Sequence, residues 1–589
     1  MKIYTFLQCI AISAWAISPG NAATKSYTTC RKLSKDPDWP SPETWEAALP
    51  GVTPIPQNST NPLPDYRFRA HSIEDVQAAV RFATEHNVRL AVITTGHDQL
   101  GRSDAGSGLL LDLSFLRGIK VHESFTSAES GTDRLDHTEE PNVITPLPGV
   151  QAAVTFGPAA AGLYLNYALD PSGLFTVSGA AATVAIAGGW GQNGGYGPLT
   201  SQYGLGVDQW LEAKVVTPNG QLRIANDKIN RDLFWAVRGG GGSTFGVVVE
   251  ATWKVYPTVP MTGFNWWMNS TLAGPNSTDY ETGRTPVSEA MEYLFSELPG
   301  LQEKGITAYI YASPTSVRCY AIHPADRSGV ANANAVWGPI LSKMQSFPGL
   351  KPFQSRPYDF VDYKDFFDTT YGPLPSPGDE PTPPYNRGIV PFDSRLLGAE
   401  HFRSPNITYA LRETGGYYGI LVCSPGGKLG DGSETSNNPG WRRAVALVVG
   451  FKTNTTNVDG LRVLAPDMGT YINELTLQAS TEQENWTSAF WGTNYARLSE
   501  IKSEIDPNMT FWTSPGIHAD HMEVVDGRAC LIEPPPEGSS LIPPPTDRHV
   551  IADLAKDGHF LFGEKELIGA TYPAPGTWVG LQPPEVEQA

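Results

Sequence analysis

The chain reads as an α+β protein of two or three lobes, and three observations carry that expectation. At 589 residues it is too long for one ordinary core. Residues 61–257 alternate short apolar strands, glycine turns and short helices, the pattern of an α+β nucleotide-binding lobe. From about Thr258 to Met468 longer mixed strands and helices take over, interrupted by the proline-rich loop Pro373 to Pro384, whose prolines cannot pair in a central sheet.

The amino terminus is read first. Met1-Lys2-Ile3, an apolar run from Thr5 to Ile17 and Gly20-Asn21-Ala22 have the order of a signal peptide, so residues 1–22 are expected to be removed and the mature chain to begin near Ala23. That places the protein in the secretory lumen, the cell wall, a vacuole or the medium. Cys9 falls in the leader, leaving Cys30, Cys319, Cys423 and Cys530. An even number in an oxidising route predicts disulfides, with three pairings open. Sequons at Asn58, Asn269, Asn276, Asn406, Asn454, Asn485 and Asn508 predict N-glycans. A formal net charge of -19 argues against nucleic acid or anionic membranes as partners, and no later segment has the apolar length of a membrane span.

Within the first lobe, Ser72-Ile73-Glu74-Asp75 opens a helix as a capping box, with Val76, Ala79, Val80 and Ala83 on one face. The β-branched run Val88 to Ile93 then predicts a strand, and Leu109 to Leu113 another. Between them lies Thr94-Thr95-Gly96-His97-Asp98-Gln99-Leu100-Gly101-Arg102-Ser103, a histidine in a glycine-flanked loop at a strand's C-terminal end, where ligand sites of α/β layers gather.

The densest glycine cluster is Ala187-Gly188-Gly189-Trp190-Gly191-Gln192-Asn193-Gly194-Gly195-Tyr196-Gly197. Gly189, Gly191 and Gly194 satisfy G-x-G-x-x-G, but Gly195-Tyr196-Gly197-Pro198 breaks the helix that a doubly wound nicotinamide site requires. A helix-free loop wrapping an extended dinucleotide fits better. The pair His518 and His521 lacks a third ligand, so no metal site is expected, and no G-x-S-x-G elbow points to an α/β-hydrolase.

The histidine loop, the glycine cluster, Tyr203 to Asp208, Asp232 to Gly242 with Phe245-Gly246, and Gly469-Thr470-Tyr471-Ile472-Asn473-Glu474 with Phe490 to Leu498 resemble the berberine bridge enzyme-like, or vanillyl-alcohol oxidase type, FAD-linked oxidoreductases. The resemblance runs from about Asn61 to Cys530 and is nearest to the fungal isoamyl alcohol oxidase-like branch. It implies a PCMH-type FAD-binding domain over 61–257, a substrate domain over 258–468 lying above the flavin, and a C-terminal segment, 469–532, that returns to the FAD lobe. The Pro-rich tail 533–589 receives no role.

The same resemblance implies a covalent link from His97 to the flavin 8α-methyl group. FAD contacts are expected from Thr94, Thr95, Gly96, Asp98, Gly101, Ser103, Gly179, Gly188, Gly189, Gly191, Gly194, Gly195, Tyr196, Asp208 and Tyr495. Many relatives attach the flavin twice, using a cysteine in the segment corresponding to Val177 to Thr183. Here Val177-Ser178-Gly179-Ala180-Ala181-Ala182-Thr183 contains none, and counting back from the glycine cluster places Ala182 at that position, so one bond through His97 is expected.

Gly469 to Glu474 reads as a strand, and the resemblance implies that it borders the flavin's reactive face, which makes Tyr471, Asn473 and Glu474 the catalytic candidates, with Tyr471 favoured as base or orienter. The implied activity is an oxidase taking a hydride from an alcohol, sugar or secondary metabolite, with oxygen regenerating the flavin and yielding hydrogen peroxide. The alternatives are a dehydrogenase or cyclising enzyme of secondary metabolism, or a flavin-carrying glycoprotein without turnover. The aromatics Trp266, Trp267, Tyr309, Tyr311, Tyr417 and Tyr418 read as strand and core residues as readily as a substrate wall.

Overall fold

The computed structural model describes residues 25–57, 63–271, 285–371, 392–475 and 485–533. The expected leader, Asn58, Asn276, the loop Pro373 to Pro384 and residues 534–589 lie outside the described residues.

Ser72 caps a helix over Ile73–Glu85, its hydroxyl accepting from the Asp75 N–H while the Asp75 carboxylate accepts from the Ser72 N–H, both at 3.1 Å. The helix joins strand Tyr66–Arg69 to strand Leu90–Ile93, and both lie parallel to Leu109–Asp112 in a four-stranded sheet. Val76, Ala79, Val80 and Ala83 are buried and pack with Val216, Val247 and Val249 of a second sheet. Burying each valine contributes about 1.5–3 kcal/mol, which fixes the helix between the sheets. The strand begins two residues later than Val88, because the Val88 N–H is taken by the Ala83 carbonyl closing the helix.

The second sheet has five antiparallel strands in the order Leu222–Asn226, Trp210–Val216, Val247–Lys254, Ala153–Phe156, Ile119–His122. A third, seven-stranded antiparallel sheet runs Gln354–Phe360, Met261–Asn269, Ser316–Pro324, Thr307–Ser313, Tyr418–Val422, Ala444–Phe451, Phe392–Gly398. Helices Pro286–Glu303 and Val330–Gln345 cover it, and Trp337 of the second packs on Trp266 at 5.6 Å. Trp266 and Tyr309 are buried in that core, whereas Tyr417 is exposed.

The last part of the chain packs on the five-stranded region. Helices Trp486–Trp491 and Tyr495–Ile505 are anchored by Trp491 Nε1, which donates to the Gly239 carbonyl at 3.0 Å, and by Lys502 Nζ, which donates to the Thr244 carbonyl at 2.7 Å. Strand Arg528–Ile532 then pairs with Tyr27–Cys30, placing Cys530 opposite Cys30, and the two form a disulfide.

Cys319 and Cys423 remain free and buried, so one pair of the mature cysteines is joined and not two. Cys319 lies on strand Ser316–Pro324 and Cys423 follows Tyr418–Val422, with Thr307–Ser313 hydrogen-bonded between those strands. Two strand spacings, about 9–10 Å, exceed the Cα separation a disulfide tolerates.

Candidate active site

A cavity opens at the C-terminal end of strand Leu90–Ile93, walled by Thr94 to Gln99, Arg102 and Ser103 on one side and by Gly188, Gly189, Trp190, Gln192 and Asn193 on another. Gly179, Ala180, Ala181, Ser243, Tyr196, Tyr471, Asn473 and Glu474 complete the wall.

The two loops are joined by side chains. Thr95 Oγ1 accepts from the Ala185 N–H at 3.2 Å, and His97 Nε2 lies 2.8 Å from Thr183 Oγ1. Burial without a charged partner holds the His97 imidazole down at about 4, so the ring is neutral near pH 7 and has a lone pair to offer. Asp98 pairs with Arg102, whose guanidinium also donates to Asn473 Oδ1 at 2.9 Å. Asn473 Nδ2 in turn donates to the Tyr471 hydroxyl at 2.9 Å and to the Gly189 carbonyl at 3.1 Å. The histidine loop, the glycine loop and the Tyr471 segment are therefore linked through one amide.

Opposite this chain, the Tyr196 hydroxyl donates to Glu474 Oε1. Tyr471 is buried edge-on between Tyr196 at 5.4 Å and Trp441 at 5.7 Å. Burial pushes its phenol well above the ordinary range, and the Glu474 charge adds to the rise. Burial and then the same charge raise the Tyr311 phenol and the Cys423 thiol. The site thus brings the Glu474 carboxylate together with a Tyr471 phenol that burial keeps protonated.

Several expected residues stand elsewhere. Gly469 to Glu474 forms no strand; it is an irregular turn held by the Glu474 N–H on the Tyr471 carbonyl and the Thr470 N–H on the Ala489 carbonyl. The glycine cluster is not helix-free, because Ile186–Trp190 makes one wide helical turn, broken at Gly188. Gly191 packs behind the wall, where a Cβ would lie 2.3 Å from the Ile186 carbonyl and against the Trp253 ring. A Cβ on Gly195 would strike Trp190, and Gly194 lies beside Asn437 and Tyr471. At these three positions a side chain would meet neighbouring protein atoms.

Gly101 only turns the histidine loop, with φ 72°. Asp208 is engaged by the Arg442 guanidinium and the Leu205 N–H, which fixes the turn at Gly204 to Val207. Tyr495 packs on Trp486 and Trp491, each at 5.9 Å. Of the alanines, Ala180 and Ala181 line the cavity while Ala182 packs on the large-sheet core, so the wall position nearest the counted one is Ala181.

Arg102, Trp190, Gln192, Asn193 and Ser243 are wall residues that sequence reading did not single out. Arg102 carried a signal, an acid four residues before it on a turn. His518 and His521 stack at 3.9 Å with Ser499 on His518 Nε2 at 2.6 Å, and among the described residues no trio of metal-ligating side chains converges.

The wall suits an extended, amide-rich dinucleotide. Gln99 Oε1 and Asn193 Oδ1 are buried acceptors with no protein partner, each in want of an N–H. A Cβ on Gly189 would meet nothing nearer than 3.8 Å and would project into the space a ligand needs. Among the described residues the one cation of the wall, Arg102, is already paired, so phosphates there would depend on backbone N–H groups of the glycine loops.

Comparison with known proteins agrees. An FAD-binding domain family matches residues 64–226, and the berberine and berberine-like family matches 470–518. The chain is 30% identical over 483 residues to the FAD-linked oxidoreductase OXR2 of Pyricularia oryzae, covering 78% of this chain and 75% of the relative. It is 29% identical over 497 residues to an uncharacterised FAD-linked oxidoreductase of Arthroderma benhamiae, 78% of each.

Among solved structures, the VAO-type flavoprotein MtVAO615 of Myceliophthora thermophila superposes with a TM-score of 0.71 at 23% identity, over 85% of this chain and all of that one. The glucooligosaccharide oxidase of Acremonium strictum, which carries a 6-S-cysteinyl, 8α-N1-histidyl FAD, gives 0.55 at 17% identity, over 77% and 91%. Those two likenesses establish the fold. The fold, the matched domains and the relatives together show that this chain belongs to the FAD-linked oxidoreductases of the berberine-like, vanillyl-alcohol oxidase type.

Proposed function

We propose that the protein is a secreted oxidase that removes a hydride from a hydroxyl-bearing carbon of an alcohol, sugar or secondary metabolite, using FAD bonded through His97 alone, with oxygen as the acceptor. The observation that carries this reading is the placement of Glu474 and Tyr471 in the same wall as the His97 loop. The flavin, when bound, supplies the hydride acceptor. The chain supplies proton handling and orientation.

Glu474 is the base. Its carboxylate lies in the cavity wall and accepts from the Tyr196 hydroxyl, a contact that holds it where it can take the substrate hydroxyl proton. Tyr471 is the orienter: its oxygen accepts from Asn473, so its own proton is free to be donated to the substrate oxygen. Its burial argues against its losing that proton near neutrality.

His97, with no cysteine among Ala180 to Ala182, is the single tether, supported by its neutral ring at the cavity wall. The oxidase reading draws on neighbours such as the glucooligosaccharide oxidase, and secretion draws on the leader, the Cys30–Cys530 bond and the exposure of Asn269, Asn406, Asn454, Asn485 and Asn508, the sequons within the described residues.

The test is direct. Acid-precipitated protein should keep its yellow colour, and a His97→Ala variant should release its flavin. Anaerobic addition of a panel of alcohols and oligosaccharides should bleach the flavin, and air should restore it with formation of peroxide. A flavin that no substrate bleaches would make the protein a binder, and reoxidation far slower than turnover would make it a dehydrogenase.

A further inference from the structure

Resting on the reading that His97 carries the flavin, the geometry points to Thr183 as the positioning residue of that tether: its hydroxyl holds Nε2 and so presents Nδ1 for attachment. His97 Nε2 and Thr183 Oγ1 are 2.8 Å apart. His97 lines the cavity and Thr183 follows the lining residue Ala181 and precedes Val184; its hydroxyl engages Nε2, and among the described residues no side chain or backbone group engages Nδ1.

The hydroxyl is itself held rigidly. The carbonyls flanking it, of Ala182 and Val184, accept from the Leu163 and Gly162 N–H groups at 3.1 and 3.0 Å. Those donors belong to the first turn of helix Gly162–Leu169, whose N-terminal N–H groups otherwise lack partners. Two residues on, the Ala185 N–H donates to Thr95 Oγ1, two residues before His97. Thr183 is thus built into a fixed segment, and that segment is stitched to the histidine loop at two points.

A hydroxyl is suited to both states of the ring. In the free imidazole, Nε2 carries the proton and Thr183 accepts it, leaving the lone pair on Nδ1. In the linked ring, Nδ1 is bonded to carbon, Nε2 carries a lone pair and Thr183 donates. The balance of the step follows: the imidazole forms one Nδ1–C bond at the 8α carbon, and one C–H bond and the Nε2–H bond are broken. Two electrons pass through the flavin to dioxygen, and with the two protons released they make hydrogen peroxide. A valine at 183 keeps the shape and offers neither donor nor acceptor.

The experiment uses the full-length protein produced as apoprotein and loaded with FAD in air. Covalent incorporation is followed as flavin fluorescence on a denaturing gel, and the linked nitrogen is identified on the isolated flavin peptide. Wild type should link through Nδ1. Thr183→Val should incorporate flavin roughly tenfold more slowly, the equivalent of one lost hydrogen bond, with some product linked at Nε2, while Thr183→Ser restores rate and linkage. Thermal melting of the apoproteins controls for folding.

An unchanged rate and linkage in Thr183→Val would overturn the inference and leave the tether standing. So would a slowing that Thr183→Ser shares, which would mark a packing role. Absence of covalent flavin in wild type itself would overturn the tether and this inference together, and is told apart because no variant would then fluoresce.

Discussion

The assignment of the base can be tested at two residues whose effects differ in kind. Glu474→Gln keeps the shape of the side chain and removes its proton affinity; general-base catalysis contributes about 10²–10⁴ in rate, so flavin reduction should slow by that factor with the flavin still bound. Tyr196→Phe instead leaves the base and removes one hydrogen bond to its charged form. Such bonds are worth about 1.5–3 kcal/mol, which at 1.36 kcal/mol per unit is about 1–2 pKa units. Losing a bond that favours the ionised carboxylate raises its pKa, so the acid limb of the rate–pH profile should move to higher pH by that amount while the alkaline plateau changes little. Anaerobic stopped-flow decay of the oxidised flavin absorbance, measured across pH, reads both variants. If Glu474→Gln stays within about threefold of wild type while Tyr471→Phe loses three orders of magnitude, the base is Tyr471 and the reasoning from its burial is wrong.

Three further outcomes follow from the described contacts. Because burial holds His97 at about 4 against an ordinary 6.5, the folded apoprotein stays unprotonated there while an unfolded chain takes up a proton below 6.5. Stability should therefore fall as pH drops from 6.5 towards 4, by up to about 3 kcal/mol, and covalent flavin incorporation should hold steady down to about pH 5; a midpoint of incorporation near 6.5 would contradict the desolvated ring. Lys502, fully buried, donates to the Thr244 and Phe511 carbonyls and to Asp506, so Lys502→Met leaves a buried carboxylate without its cation and should cost about 3–5 kcal/mol in urea unfolding, against which a loss under 1 kcal/mol would count. Replacing Cys30 and Cys530 with alanine opens a loop spanning 500 residues and should cost about 2–5 kcal/mol, seen first as protease cleavage of strand Tyr27–Cys30 with flavin binding retained.

What could be read from the chain alone was whatever is local. The helix Ile73–Glu85, its cap and its buried face follow from spacing over a dozen residues, and the His97 loop follows from its place after a strand. The glycines show where such reading stops. Gly189 and Gly195 look alike in sequence, yet one faces open cavity and the other abuts Trp190, and only the path of the chain decides which. Asp208 shows the same limit: an acid after a glycine turn is equally a ligand contact or a partner for an arginine, and the arginine it pairs with, Arg442, lies 234 residues away. The free Cys319 and Cys423 depended on strand order, which composition does not encode.

The same limit bears on Tyr471, favoured from the sequence as base or orienter, and on Glu474, here proposed as the base. A strand over this motif would put Tyr471 and Asn473 on one face and Glu474 on the other, by the alternation of side chains along an extended chain. The turn closed by the Glu474 N–H on the Tyr471 carbonyl breaks that alternation and brings all three to one wall. Once they share a wall, their partners divide the work. Asn473 is oriented by Arg102, and Arg102 by Asp98, the residue next to the proposed tether, so the phenol proposed to orient substrate is set by the loop that would hold the flavin. Glu474 is set by Tyr196, from the far end of the glycine loop. An orienter tied to one cofactor loop and a base tied to the other keep their separation only while both loops are in place, so a misplaced flavin would disturb proton transfer as well as hydride transfer.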